Sequence, residues 1–121
     1  MEATASGPTR TGSKTIADLL PRAAQLFGGR TAVRYRNGDE WRDASFAQMG
    51  AIAQEIGLGL IDLGIAPGDR VCILAKTRPE WSYADFAITM AGAVVVPIYQ
   101  TNSPEECDWV IGNSEAVAIF C

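Results

Sequence analysis

The chain has 121 residues and a mass of 12.9 kDa, and its 48% apolar and 20% charged content is that of one ordinary globular domain, neither disordered nor fibrous. Residues 1–36 carry six basic and two acidic side chains and residues 37–121 four basic and twelve acidic, for a net charge of −4 and a pI of about 4.7. The acidic body argues against a nucleic-acid footprint, and the complete lack of histidine excludes Ser-His-Asp, Cys-His and HExxH zinc chemistry from these residues.

Residues 1–14 are small and polar and read as a flexible tail, without the apolar core of a secretion signal. Thr15 offers an N-cap for Ile16–Leu20, and Pro21 suits the first turn of a second helical piece that runs through Phe27 to a stop at Gly28-Gly29. Thr31–Tyr35 alternates as a half-buried strand does, Asn37-Gly38 is a tight-turn signal, and Glu40–Asp43 returns as the hairpin partner. Ser45-Phe46-Ala47-Gln48 spells a capping box. The helix it opens sets Phe46, Met49, Ile52, Ala53, Ile56, Leu60 and Leu63 on one stripe and stops at Gly64. After a Pro67-Gly68-Asp69 turn, Val71–Ala75 is a continuous apolar run, the mark of a strand covered on both faces.

From there strands and helices alternate. Pro79 opens a helix to about Ala91, with Trp81, Ala84 and Ile88 inward, and Gly92 ends it. Val94–Tyr99 is the next buried strand. Ser103-Pro104-Glu105-Glu106 starts a helix that ends near Asn113, with its two carboxylates at the positive end of the helix dipole. Ala116–Phe120 is a third apolar strand. The pattern predicts an α/β fold: an N-terminal helix and β-hairpin, then a parallel βαβαβ unit with right-handed crossovers. Because Cys121 directly follows a buried-type strand, residues 15–121 are expected to be the N-terminal part of a larger domain that continues past 121.

Cys72, Cys107 and Cys121 show no CxxC spacing and leave one thiol over in any pairing, which predicts reduced, mostly buried thiols in a cytoplasmic protein. The uncharged stretch from Phe86 to Pro104 is broken by Gly92, Pro97 and Gln100–Ser103, so no membrane span is predicted.

Few segments suggest chemistry. Gly57-Leu58-Gly59-Leu60-Ile61-Asp62 begins like a dinucleotide fingerprint, but no strand precedes it and no third glycine follows. Close helix–sheet packing is the expected reason for its small residues. Asp69 and Arg70 lie at the N-terminal end of a strand, the wrong edge of a parallel sheet for catalysis, and read as turn chemistry plus a surface ion pair. Lys76, Thr77 and Arg78 follow the carboxyl end of a strand and open a helix, an arrangement able to hold an anion. The alternative there is a cap region, with Trp81 in the core and a solvated basic pair. Tyr99 and Thr101, at the carboxyl end of the next strand, either line a pocket or serve packing and the loop. Glu105 and Glu106 are adjacent on a helix, face different directions and form no acid/base pair. No catalytic, cofactor-binding or metal-ligating residue is assigned within residues 1–121.

Four segments resemble the adenylate-forming (AMP-binding) synthetases, the family of acyl-CoA ligases, luciferases and peptide-synthetase adenylation domains. Ser45–Met49 is similar to the family's first core motif, Ser/Thr-aromatic-x-Glu-Leu, with Gln48 and Met49 in place of Glu and Leu. Gly64–Val71 resembles its Gly-[Val/Ile]-x-x-Gly-Asp-Arg-Val turn, Ala91–Ile98 its second core motif, and Asn113–Ala116 its approach to the next strand. Together they stand in family order over residues 15–121. Arg78-Pro79-Glu80-Trp81 and Pro97-Ile98-Tyr99-Gln100-Thr101 look most like the long-chain fatty acid–CoA ligase branch, since other branches more often carry Asn where Tyr99 stands.

The family's phosphate loop, Thr-Ser-Gly-Thr-Thr-Gly-x-Pro-Lys-Gly, is absent here, as are its adenine, ribose, hinge and lid segments, so its catalytic residues fall on no position of this chain. The resemblance implies a parent protein that activates a long-chain fatty acid with ATP and Mg²⁺ to an acyl-adenylate, releases pyrophosphate, and passes the acyl group to CoA. Residues 1–121 alone are then expected to be inactive, poorly soluble and without bound ATP, Mg²⁺ or CoA. With no nucleic-acid partner expected from the charge balance and no transmembrane span from the broken apolar run, a peripheral membrane contact is left open. The alternatives are an adenylate-forming ligase for an aryl or amino acid, and a stand-alone, non-catalytic α/β binding module.

Overall fold

The computed structural model describes residues 11–121, so most of the tail expected at 1–14 lies outside the described residues. The first fixed point is Asp18. Its carboxylate accepts from the backbone N–H groups of Lys14 at 3.2 Å and Thr15 at 3.0 Å, while Thr15 Oγ1 accepts from the Asp18 N–H at 3.2 Å. The bonds donated to the carboxylate, the one from the Thr15 backbone foremost, hold the Asp18 carboxyl down at about 2. The same bonds make residues 15–18 a turn, because side-chain acceptors there satisfy donors that a helix would leave open. One helix follows, α1 (Leu19–Phe27), with Pro21 in its first turn, and not the two helical pieces that the sequence suggests.

Strands β1 (Thr31–Asn37) and β2 (Glu40–Ser45) pair antiparallel around Gly38-Asp39, with Gly38 at φ +66°, as a two-residue hairpin loop requires. Ser45 leads directly into α2 (Phe46–Asp62). Ser45 Oγ accepts from the Gln48 N–H at 3.1 Å and Gln48 Oε1 from the Ser45 N–H at 2.8 Å, so Gln completes the box as Glu would. Met49, Ala53 and Leu60 of the expected stripe are buried, but Leu63 is 82% exposed. Leu63 is the C-cap, where the chain leaves the helix through Gly64 at φ +97°, and it has no element left to pack on.

The second half is a parallel sheet of β3 (Arg70–Leu74), β4 (Val94–Ile98) and β5 (Ala118–Phe120), ordered β4-β3-β5. Helix α3 (Pro79–Met90) joins β3 to β4, and α4 (Pro104–Ser114) carries the chain from β4 past β3 to β5. The two crossovers run in opposite directions along the sheet, so right-handed connections put α3 and α4 on opposite faces. The alternation of β3 agrees: Val71 and Ile73 join Ala84 and Ile88 of α3 in one core, while Cys72 meets Ser114 of α4. Helix α3 is buried on a second side as well, where Tyr83 and Ala87 pack with Leu20 and Met49. No helix of the described residues is long and apolar enough to cross a membrane.

Two expectations are corrected here. Strand β4 is not buried on both faces: Val94 is 47% exposed, because β4 is an edge strand and α4, none of whose residues is buried, covers it only lightly. Of the three thiols only Cys72 is buried, and burial pushes it up; Cys107 is half-buried and Cys121 exposed.

The three long helices end alike. In α2 and α3 the left-handed residue is glycine, Gly64 and then Gly92 at φ +82°, each with paired bonds back to the last turn. In α4 the same bonds form, Ala116 N–H to Ile111 O and Glu115 N–H to Gly112 O, but the left-handed residue is Glu115 at φ +56°. Arg70 holds it there. Arg70 Nε donates to the Ser114 carbonyl at 2.7 Å, and Nη2 lies 2.9 Å from the Glu115 carboxylate. The surface ion pair expected of Arg70 is thus a clamp between the start of β3 and the end of α4, while Asp69 Oδ2 accepts from the Ala66 N–H at 2.8 Å within the turn.

A β-branched side chain in the left-handed conformation is strained, so Glu115→Val is expected to lower stability by about 1–2 kcal/mol. Glu115→Gly is expected to hold or raise it by up to about 1 kcal/mol; urea-denaturation midpoints read both. Asp18 has a depressed folded pKa, so its stabilisation is full above the ordinary carboxylate range and is lost as the pH falls from about 4 to about 2. Hydrogen-exchange protection of the Lys14 and Thr15 amides is expected to fall over that window, and Asp18→Asn to abolish the pH step.

Candidate functional site

In a parallel sheet the loops that follow the strands, and the N-termini of the helices beyond them, gather at the carboxyl edge; ligands enter where the winding reverses direction. With the order β4-β3-β5, that reversal falls between β3 and β5. A cavity of about 270 Å³ opens there. Ile73 and Ala75 line it from β3 and its end, Trp81 and Ala84 from α3, and Phe120 from β5, with Arg78 and Glu80 also in its wall.

Arg78 is the N-cap of α3, with no side-chain cap bond of its own, and its Nε lies 2.8 Å from the Glu80 carboxylate. The Arg78 guanidinium holds the Glu80 carboxyl below its ordinary range, and the carboxylate in turn raises Arg78 further. Pro79 at the first helical position brings Glu80 into the first turn, beside the positive end of the dipole. A carboxylate of the chain itself therefore stands where an anionic ligand would sit. Lys76 and Thr77 are exposed alongside, and Trp81 packs half-buried against the sheet core. The segment is a cap region, as one of the two readings has it, but its basic pair is not simply solvated, because Arg78 is engaged. Glu80 is the residue that sequence reasoning passed over; an acid directly after a helix-opening proline was the available signal. One turn beyond Trp81, burial pushes the Asp85 carboxyl up.

Tyr99 and Thr101 stay apart from this cavity. Tyr99 is 75% exposed at the end of β4 and is not packed under α4; its carbonyl accepts from the Asn102 N–H at 3.0 Å. Glu106 does more than face the dipole: its carboxylate accepts from the Ser103 N–H at 2.7 Å and Ser103 Oγ from the Glu106 N–H at 3.2 Å, a second capping box. Within α2, a Cβ at Gly57 would stand 3.2 Å from the Ala87 carbonyl oxygen, so the close approach is helix to helix and not helix to sheet. Gly59 has nothing within 4 Å, and packing does not account for it. The carboxyl edge offers an apolar crevice with an ion pair in its wall.

Residues 20–121 match the family model described as AMP-binding enzyme. The chain is 49% identical over 80 residues to the long-chain-fatty-acid–CoA ligase FadD15 of Mycobacterium bovis, a match that covers 66% of this chain and 13% of that protein. It is 30% identical over 105 residues to the long-chain-fatty-acid–CoA ligase ACSBG1 of Rattus norvegicus, covering 87% of this chain and 15% of that one. Its fold is similar to that of the fatty acid AMP ligase from Legionella pneumophila, with a TM-score of 0.81 at 22% identity over 89% of this chain and 19% of that one. The chain thus spans only about one-seventh of the length of the curated relatives it matches.

The two α2 glycines are expected to part company on substitution. Gly59→Ala, at an open helix position, is expected to raise stability by about 1 kcal/mol. Gly57→Val, driven against the α3 backbone, is expected to lower it by about 1–3 kcal/mol. Thermal and urea unfolding of the two variants side by side read the difference.

Proposed function

The chain belongs to the AMP-binding enzyme family, and on that premise we propose that the whole protein is a long-chain fatty acid–CoA ligase, with residues 15–121 the N-terminal part of its large domain. The observation that carries the choice of acid is the 49% identity over 80 residues to a ligase named for long-chain fatty acids. Arg78-Pro79-Glu80-Trp81 and Tyr99, which resemble that branch, support it. A free carboxylate is a poor electrophile; transfer of an adenylyl group from ATP gives it a leaving group that a CoA thiol can displace. ATP, Mg²⁺ and CoA belong to that reaction in the whole protein, and the proposed setting is cytoplasmic, with peripheral contact to membranes.

The residues described here do not fit those groups. At the carboxyl edge Arg78 is committed to Glu80, whose negative charge opposes a phosphate. Among the described residues no group of three or more His, Cys, Asp or Glu is placed to hold a metal ion. No step of the reaction falls to residues 11–121. They serve the ligase as framework: a buried central strand, with loops fixed at its carboxyl end, on which further elements of the domain can stack.

Palmitate-dependent ATP–pyrophosphate exchange and palmitoyl-CoA formation by the full-length gene product test the proposal. Exchange with aryl or amino acids but not palmitate would overturn the acid class, and exchange with no acid at all would overturn the ligase. Residues 1–121 by themselves are expected to give no exchange above a no-enzyme blank. They are also expected to self-associate on size exclusion, since Val94, Val117 and Ile119 leave apolar surface at or beside both edge strands.

A further inference from the structure

We draw no further inference here: the strongest candidate, the apolar cavity of about 470 Å³ beneath the β1–β2 hairpin and between α1, α2 and α3, carries none, because nothing in the structure shows what covers it or ties it to a ligand.

Discussion

The burial of β3 on both faces is the constraint on which the rest of the fold depends. Val71, Cys72 and Ile73 are at most 1% exposed, and each branched side chain so buried contributes roughly 1.5–3 kcal/mol. That gain requires a neighbour on each edge and a layer on each face. β4 and β5 supply the edges. The reversal of direction between the two crossovers supplies the faces, α3 beside Val71 and Ile73 and α4 beside Cys72. Because α3 sits over the sheet, its other side is free to hold α2 and α1: Tyr83 and Ala87 pack with Leu20 and Met49, while Leu60 of α2 joins the core of Val71 and Ile73.

The two faces are not equally finished. α3 is buried on two sides, whereas no residue of α4 is buried and Trp109 is 65% exposed. The weakly packed helix carries the more elaborate terminal chemistry: a capping box with Glu106 and a left-handed Glu115 restrained by Arg70. Hydrogen bonds at its two ends thus hold α4 in a place that apolar contact alone does not define. Arg70 also opens β3, so the same side chain couples the most buried strand to the least buried helix.

At the carboxyl edge a helix N-terminus faces an acid of its own chain. Pro79 places Glu80 in the first turn, Glu80 engages Arg78, and the dipole is met from within the chain. Among the cavities of the described residues, the one at the β3/β5 switch point and the one beneath the hairpin are lined mainly by apolar side chains.

Local signals in the sequence determined much of this. Both capping-box serines, the hairpin turn, the glycine stops and the strand–helix alternation depend on contacts within four or five residues, and they stand where spacing puts them. The resemblance to the AMP-binding enzymes also lies in such short segments. What only the tertiary structure decided depends on partners far along the chain. A run of valines reads the same in a central strand and an edge strand, and only the order β4-β3-β5 leaves Val94 exposed. Leu63 continues a helical stripe whose supporting element has already ended. The Arg70–Glu115 clamp joins residues 45 apart, and the cavity beneath the hairpin is made by four elements whose meeting is set by packing on α3. Periodicity reports which side of an element is apolar; whether another element arrives to cover it is a property of the assembled fold.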